Sequence, residues 1–541
     1  MIRRLSAAVA TAALLLVLTP AGRVAAHAAL DLSFPTANSV LESSPPSILL
    51  DFDEDIDRSL ASIQLFDRTE TEIPLGPLTQ VTDESTVQTA VPTLVDGTYV
   101  VVWRVASADG HVVDGAFSFQ VGTASQPPAD DLIERVSGAA SSTAAVGWLY
   151  GVARFLALLG IVVAVGAGVF AIVGTSRELL RSTLWVLRIA VGALIIGTVG
   201  SIGFYGSKAV AGGVSDAFSP DVWGEIIGTH VARTLLVRLG FAIVMVVLLV
   251  TARHRAQGWW QGAGLASLVL SLVTFSASGH AYAQESALPW MANDAIHLGA
   301  AGLWVGGLVL FVSGGRAWFD NADRAPVVAT FSRVSTVAVP VVVLTGVLQT
   351  IKIGGGFDVV RDGLTDTGWG RTLLVKVAVV AVAVAIGGVS HWLVRHDGVH
   401  GVRRTVVAEA MIGLTVIGLA AGLVGLPPEA ATPAKTFSAT LAQGDVLADI
   451  TFTPGSVGGN ELHIIVTTPG GNLSPITDLA ARMTPVSGAL PTSPVSISVE
   501  GANHYTGRIV LPISGDWTLE ILVQVDSSRS VLLSTTVPIP G

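Results

Sequence analysis

Hydrophobic and polar positions change texture several times along this chain, and each change marks a different kind of element. Ala7 to Leu18 is a short apolar run behind Arg3 and Arg4, followed by Pro20, Gly22 and the small residues Val24-Ala25-Ala26. The run is too short to span comfortably, so it reads as a secretory signal cleaved after Ala26, with an uncleaved anchor as the alternative. His27 is then the first mature residue. From His27 to Gly122 apolar and polar positions alternate in short runs, such as Ser47 to Phe52, Ser62 to Phe66 and Thr98 to Trp103, separated by Pro, Gly and Asp turns. That spacing predicts a small antiparallel sandwich or barrel. Residues 123–146, rich in Ser, Ala, Pro and acids at their start, read as a linker.

Beyond residue 147 the pattern becomes long apolar stretches. Eight spans are predicted at 148–174, 183–206, 230–252, 259–277, 293–314, 332–352, 372–394 and 405–426, each about the length a bilayer demands. Basic residues distribute accordingly. The first, third, fifth and seventh connections and their flanks carry Arg177 and Arg181, Arg253 and Arg255, Arg316 and Arg324, then Arg395, Arg403 and Arg404. The alternate connections hold more acids, including Asp216, Asp221, Glu225, Asp358 and Asp362. By the positive-inside rule the N-terminal domain lies outside, and an even span count returns the C-terminus to the same side. Pro427-Pro428 ends the membrane domain of 147–426. From 436 to 541 alternation resumes, in Asp449 to Phe452, Glu461 to Val466, Arg508 to Leu511 and Trp517 to Val523, which predicts a second small β-sandwich outside. The fold class is therefore multi-domain: an all-β Greek-key barrel or sandwich, an α-helical polytopic membrane domain, and a C-terminal β-sandwich.

Composition agrees and removes several functions. The chain is 51% hydrophobic and only 13% charged, too little charge to cover a soluble protein of 541 residues. With 30 basic residues and a net charge of −10, nucleic acid is not an expected partner. No phosphate-binding Gly-Lys-Ser/Thr loop occurs, so no nucleotide is expected either. Cysteine is absent, which excludes thiolate metal sites and disulfides. Between His27 and Val146 there are 18 acidic residues against 4 basic ones, a field that favours cations.

The chemistry concentrates in Trp103 to Val121, where Asp109-Gly110-His111 forms a tight turn presenting a carboxylate and an imidazole. Alone this is only a turn. The predicted mature terminus adds the α-amine and imidazole of His27, a chelating pair. With His111 these give three nitrogens in the T-shaped equatorial set that tetragonal Cu(II) favours, and Asp109 completes it. In the membrane domain His230, His280 and His297 sit at the outer ends of predicted spans, and ionisable residues there mark ion paths. Interfacial histidines bonding a carbonyl or headgroup are the competing account, and His280 and His297 are the favoured entry pair. Met291 and Asp294 lie within reach of His297 in sequence, and His391 and Met411 could line an inner exit.

These residues carry family resemblances. His27-Ala28-Ala29-Leu30, Ser33-Phe34-Pro35, Pro45-Pro46, Leu50 to Glu54 and Ser107 to Val121 resemble the CopC family of periplasmic copper-binding proteins. That resemblance implies a Greek-key β-barrel with Cu(II) held by His27, Asp109 and His111, and, with no methionine between His27 and Val121, a Cu(II)-only type. Tyr150 to Gly160, Ser278 to Ala281, His297 to Leu308 and Thr367 to Lys376 resemble the CopD family of copper-resistance membrane proteins, which implies copper uptake across the cytoplasmic membrane. Gly458 to Ile464 and Gly515 to Leu519 are similar to the YtkA-like sandwich domains, with His463 and His504 read as strand or surface residues. The expectation is a non-enzymatic copper transporter whose partners are the copper ion and the lipid bilayer. The alternatives are a copper oxygenase with a histidine brace and a haem-bearing membrane electron carrier.

Overall fold

The computed structural model describes residues 30–35, 40–41, 43–52, 55–80, 84–107, 110–122, 132–133, 135–136, 144–173, 177–254, 256–279, 281–282, 286–313, 325–353, 364–365, 367–396, 402–423, 426, 437–453, 455, 458–467, 476–488, 490–501 and 503–539. Three architectures follow in chain order, as the alternation and the apolar runs predict.

The N-terminal unit is a two-sheet sandwich. One sheet has the order β1 (Leu30–Phe34), β3 (Ser47–Phe52), β7 (Thr86–Ala90), β6 (Leu78–Gln80). The other has the order β2 (Val40–Leu41), β9 (Val112–Val121), β8 (Gly97–Ser107), β4 (Ile56–Asp67), β5 (Glu72–Ile73). In β3 the alternation is realised directly: Ile48, Leu50 and Phe52 are buried while their neighbours are half-exposed. β8 is buried along almost its whole length because both its faces are covered. Val101, Trp103 and Val105 enter the core between the sheets, where Trp103 meets Phe52 edge-on at 5.2 Å. Gly115 sits across from Trp103, and a Cβ there would lie 2.5 Å from the indole, so only glycine admits the ring. On the other face Val100 and Val102 are covered by Leu132 and Val136. Those two residues belong to the segment read from sequence as linker, and their i, i+4 spacing is that of one helical face.

The helical unit contains eight helices long and apolar enough to cross a membrane. They are α1 (Ala144–Val173), α2 (Arg177–Ala209), α3 (His230–Val250), α4 (Gly258–Ala277), α5 (Ala287–Ser313), α6 (Ala325–Ile353), α7 (Gly368–His396) and α8 (Val402–Leu423). A short helix, Pro220–Ile226, precedes α3. All eight coincide with predicted spans, but α5 begins at Ala287 rather than 293. Pro289 falls in its first turn, where a missing N–H costs no hydrogen bond. α5 also contains a π turn at Gly302–Gly306. There its glycines pack against Val162 and Gly166 of α1, with no room for a Cβ. Packing between apolar helices in lipid depends on such close approach.

The C-terminal unit is an eight-stranded antiparallel sheet of order β10-β11-β12-β15-β14-β13-β16-β17. β10 (Phe437–Gln443) lies against β17 (Ser530–Ile539), so the sheet curls nearly into a barrel. Its core takes Ala448, Ile450 and Phe452 from β11 (Val446–Thr453), Leu462 and Ile464 from β12 (Gly458–Thr467), and Trp517, Leu519 and Ile521 from β16 (Gly515–Gln524). His463 is a buried strand residue of β12, paired with Thr451, and His504 opens β15 (His504–Leu511).

Asp449 of β11 is also buried, only 3% exposed. Burial pushes its carboxyl up to about 6, and a 2.5 Å hydrogen bond from the Thr440 hydroxyl only partly opposes this. The unfolded carboxyl ionises near 3.8, so the folded domain binds the extra proton between 3.8 and about 6. Stability from this group is therefore greatest below 3.8 and falls as pH rises through about 6. Asp449→Asn should stabilise the domain at pH 7 by up to about 3 kcal/mol and leave it unchanged near pH 4. Hydrogen-exchange protection of the β11 amides in the full chain, compared at the two pH values, checks this.

Candidate metal sites

Of the sequence-predicted residues, His27, Asp109 and His280 lie outside the described residues. Their neighbours are informative. β8 and β9 close on each other at Ala106 and Val112, and the intervening turn is held by Ser107 N–H to His111 O at 2.8 Å and Gly110 N–H to Ser107 O at 2.9 Å. Gly110 has φ +86°, the left-handed conformation a tight turn needs, which a side chain would strain. His111, half-buried, follows it immediately. β1 starts at Leu30 opposite Phe52, and the Phe52 ring meets Trp103 near the end of β8. The strand that follows His27 therefore starts at the end of the sandwich where β8 turns into β9. Among the described residues no three His, Asp or Glu side chains are grouped to hold a metal ion.

In the helical unit His297 is not at a helix end. It stands ten residues after Ala287, about 15 Å along the axis, because α5 starts earlier than its apolar run suggests. It lines a cavity of 260 Å³ to which helices α1 through α8 all contribute. Its Nδ1 shares a 2.9 Å hydrogen bond with the Thr345 hydroxyl, and its ring lies over Gly346, where a Cβ would come within 3.2 Å. Asp294, one turn earlier on α5, lines the same cavity and accepts 2.7 Å from Gln349 Nε2. Met291 is not part of the lining. His230 has a structural role: its Nε2 bonds the Ala277 carbonyl at 2.9 Å and its ring stacks on Tyr282 at 3.9 Å.

The cavity also holds residues that the sequence reading passed over. Arg154 (α1), Arg238 (α3), Lys352 (α6) and Lys376 (α7) all line it. Arg238 is fixed by donation to Thr274 O at 2.8 Å and Ser278 Oγ at 2.7 Å, with its guanidinium 3.6 Å above the Phe275 ring. Each of the four is visible in the sequence as a charge within or at the end of an apolar span, which is itself the signal.

A second cavity, of 300 Å³, lies among α5, α6, α7 and α8 toward their opposite ends. His391 shares a 2.7 Å hydrogen bond with Ser332 there, and the buried carboxylate of Glu409 accepts from Ser390, whose hydroxyl also bonds Thr405 at 2.7 Å. Among the described residues no lysine or arginine lines it. Pro340 on its wall cannot bond the Thr336 carbonyl, and Thr336 lines the same space. Along α6 the step from Pro340 to Gly346 is six residues, so about 9 Å of helix separates the two cavities. Met411 is exposed on α8 and lines neither cavity.

Three family models match the N-terminal sandwich and parts of the helical unit. A CopC domain model matches residues 30–122, a copper resistance protein D-like N-terminal domain matches 143–290, and copper resistance protein D matches 325–423. The copper transport protein CutJ of Bacillus subtilis is 25% identical over 519 residues, covering 92% of this chain and 93% of CutJ. Protein YobA of Escherichia coli K12 is 31% identical over 99 residues, 18% of this chain and 79% of YobA. The inner membrane protein YebZ of the same organism is 30% identical over 191 residues, 33% of this chain and 61% of YebZ. The crystal structure of CopC from Methylosinus trichosporium OB3b aligns at 29% identity over 19% of this chain and 99% of that one, with a TM-score of 0.17.

Proposed function

Because this chain belongs to the copper-resistance family that joins a CopC domain to a copper resistance protein D membrane domain, we propose that it captures Cu(II) outside the cytoplasmic membrane and passes copper inward through its helices. The observation that carries the transport reading is a pair of cavities at opposite ends of one bundle, one reached by His297 and Asp294, the other by His391 and Glu409. Imidazole and carboxylate are the donors available for copper in a chain without cysteine. Capture is assigned to the His27 amine and imidazole, His111 and Asp109, and entry to His297 with His280.

Both β-domains lie on the outer side in this reading. The tether between the N-terminal domain and the bundle shortens once Leu132 and Val136 are packed, which raises the effective concentration of donor at acceptor. A haem carrier is disfavoured because His297 and His391 line separate cavities. An oxygenase is disfavoured because Asp109, as a fourth ligand, would fill the position that oxygen needs.

Glu409 supplies the exit test. Glu409→Gln keeps the hydrogen bond from Ser390 but removes the carboxylate of the second cavity. Copper accumulation in expressing cells should fall severalfold while Cu(II) binding to the full chain is unchanged. Unaltered accumulation at matched expression would remove Glu409 from the path.

A further inference from the structure

The cavity around His297 has the wrong charge for a bare metal cation. Among the described residues four basic side chains, Arg154, Arg238, Lys352 and Lys376, line it against one carboxylate, Asp294. The basic groups come from four different helices, so the excess is a property of the assembled space and not of one basic face. Three of them are also held in place: Arg238 by Thr274 and Ser278, Arg154 at 5.4 Å over the Tyr150 ring, and Lys352 at 5.7 Å over the Trp290 ring. A divalent cation entering alone would add its charge to this field in a space walled by apolar helices, where such repulsion is weakly screened. The second cavity, lined among the described residues by Glu409 and by no basic side chain, has the opposite character.

We propose that the His297 cavity is an anion site, and that copper enters it as the negatively charged chelate of a small organic carboxylate. This rests on the copper-transport reading and specifies the form in which the metal is taken. The carboxylates meet the guanidinium and ammonium groups, which suit carboxylate geometry as fork and point-charge donors. Aromatic and aliphatic walls, including Trp290, Trp369 and Leu373, accept the carbon skeleton. His297 then competes for the metal while the anion is retained by the basic groups. A volume of 260 Å³ suits an organic anion with one metal ion and is just below the range of drug-sized ligands.

The test uses the purified full chain in detergent and citrate as the probe. Equilibrium dialysis with labelled, metal-free citrate should show saturable binding, and the uncharged trimethyl ester should not compete. Lys376→Gln and, separately, Lys352→Gln should each weaken citrate at least tenfold, whereas Arg233→Gln, an exposed position on α3 outside the cavity, should leave it unchanged. An unchanged thermal transition of each purified variant in detergent certifies that the bundle is folded. In liposomes at fixed free Cu(II), citrate should raise the copper uptake rate of the wild type and not of Lys376→Gln. Saturable citrate binding without copper uptake in any form would refute the transport reading and leave the anion site standing. Copper uptake indifferent to citrate and to Lys376, or no saturable citrate binding by the folded chain, would overturn the anion site.

Discussion

His111→Ala in the full chain should weaken Cu(II) binding by more than the roughly 10- to 100-fold that loss of an outer-shell partner costs, because an equatorial imidazole is removed outright. The turn itself should survive: its Ser107–His111 and Ser107–Gly110 hydrogen bonds are backbone bonds, and Gly110 supplies the left-handed residue. The electron paramagnetic resonance spectrum should lose nitrogen coupling. A matching loss is expected when extra residues precede His27, since an amide cannot replace the terminal amine as a donor near neutral pH. Unchanged spectra and affinity in both variants would remove these residues from the ligand set.

His297→Ala should lower copper uptake by about tenfold or more, equivalent to about 1.4 kcal/mol or more on the transfer barrier, while leaving Cu(II) binding at the N-terminal domain intact. The substitution is structurally mild. Thr345 loses the imidazole but still donates to the Val341 carbonyl at 2.6 Å, so no hydroxyl is stranded. Gly346→Val offers an independent route to the same result, because a side chain there would press on the His297 ring. Uptake measured at matched expression, with the thermal transition of the purified chain in detergent as the control for folding, separates a transfer role from general damage. Wild-type uptake in both variants would leave His297 as a structural residue.

The eight spans were legible because bilayer thickness imposes their length, and the basic loops supplied an orientation from the same text. The sandwich was legible in strands such as β3, whose alternation survives intact as burial. Other features required the packed structure. The start of α5 was hidden because Asn293 and Asp294 interrupt the apolar run, although Asn293 is buried and donates to the Thr345 carbonyl at 3.2 Å. That shift carries His297 from a helix end to a depth of about three turns. Arg238 was readable only as a weak point in a span, and Glu409 as a polar exception. Their meaning depends on which cavity each enters, which no single helix determines. Leu132 and Val136 sit in a polar stretch whose composition outweighed their spacing, and only β8, apolar on both faces, explains their burial.

Transfer of outward-bound copper through the bundle can be followed as copper entry into sealed vesicles containing the purified full chain, read by a copper-responsive dye in the lumen. Saturable entry is expected with wild type, loss with His297→Ala despite an occupied N-terminal site, and slower entry at limiting copper with His111→Ala. Entry no faster than in protein-free vesicles, with Cu(II) demonstrably bound to the outward domain, would contradict it.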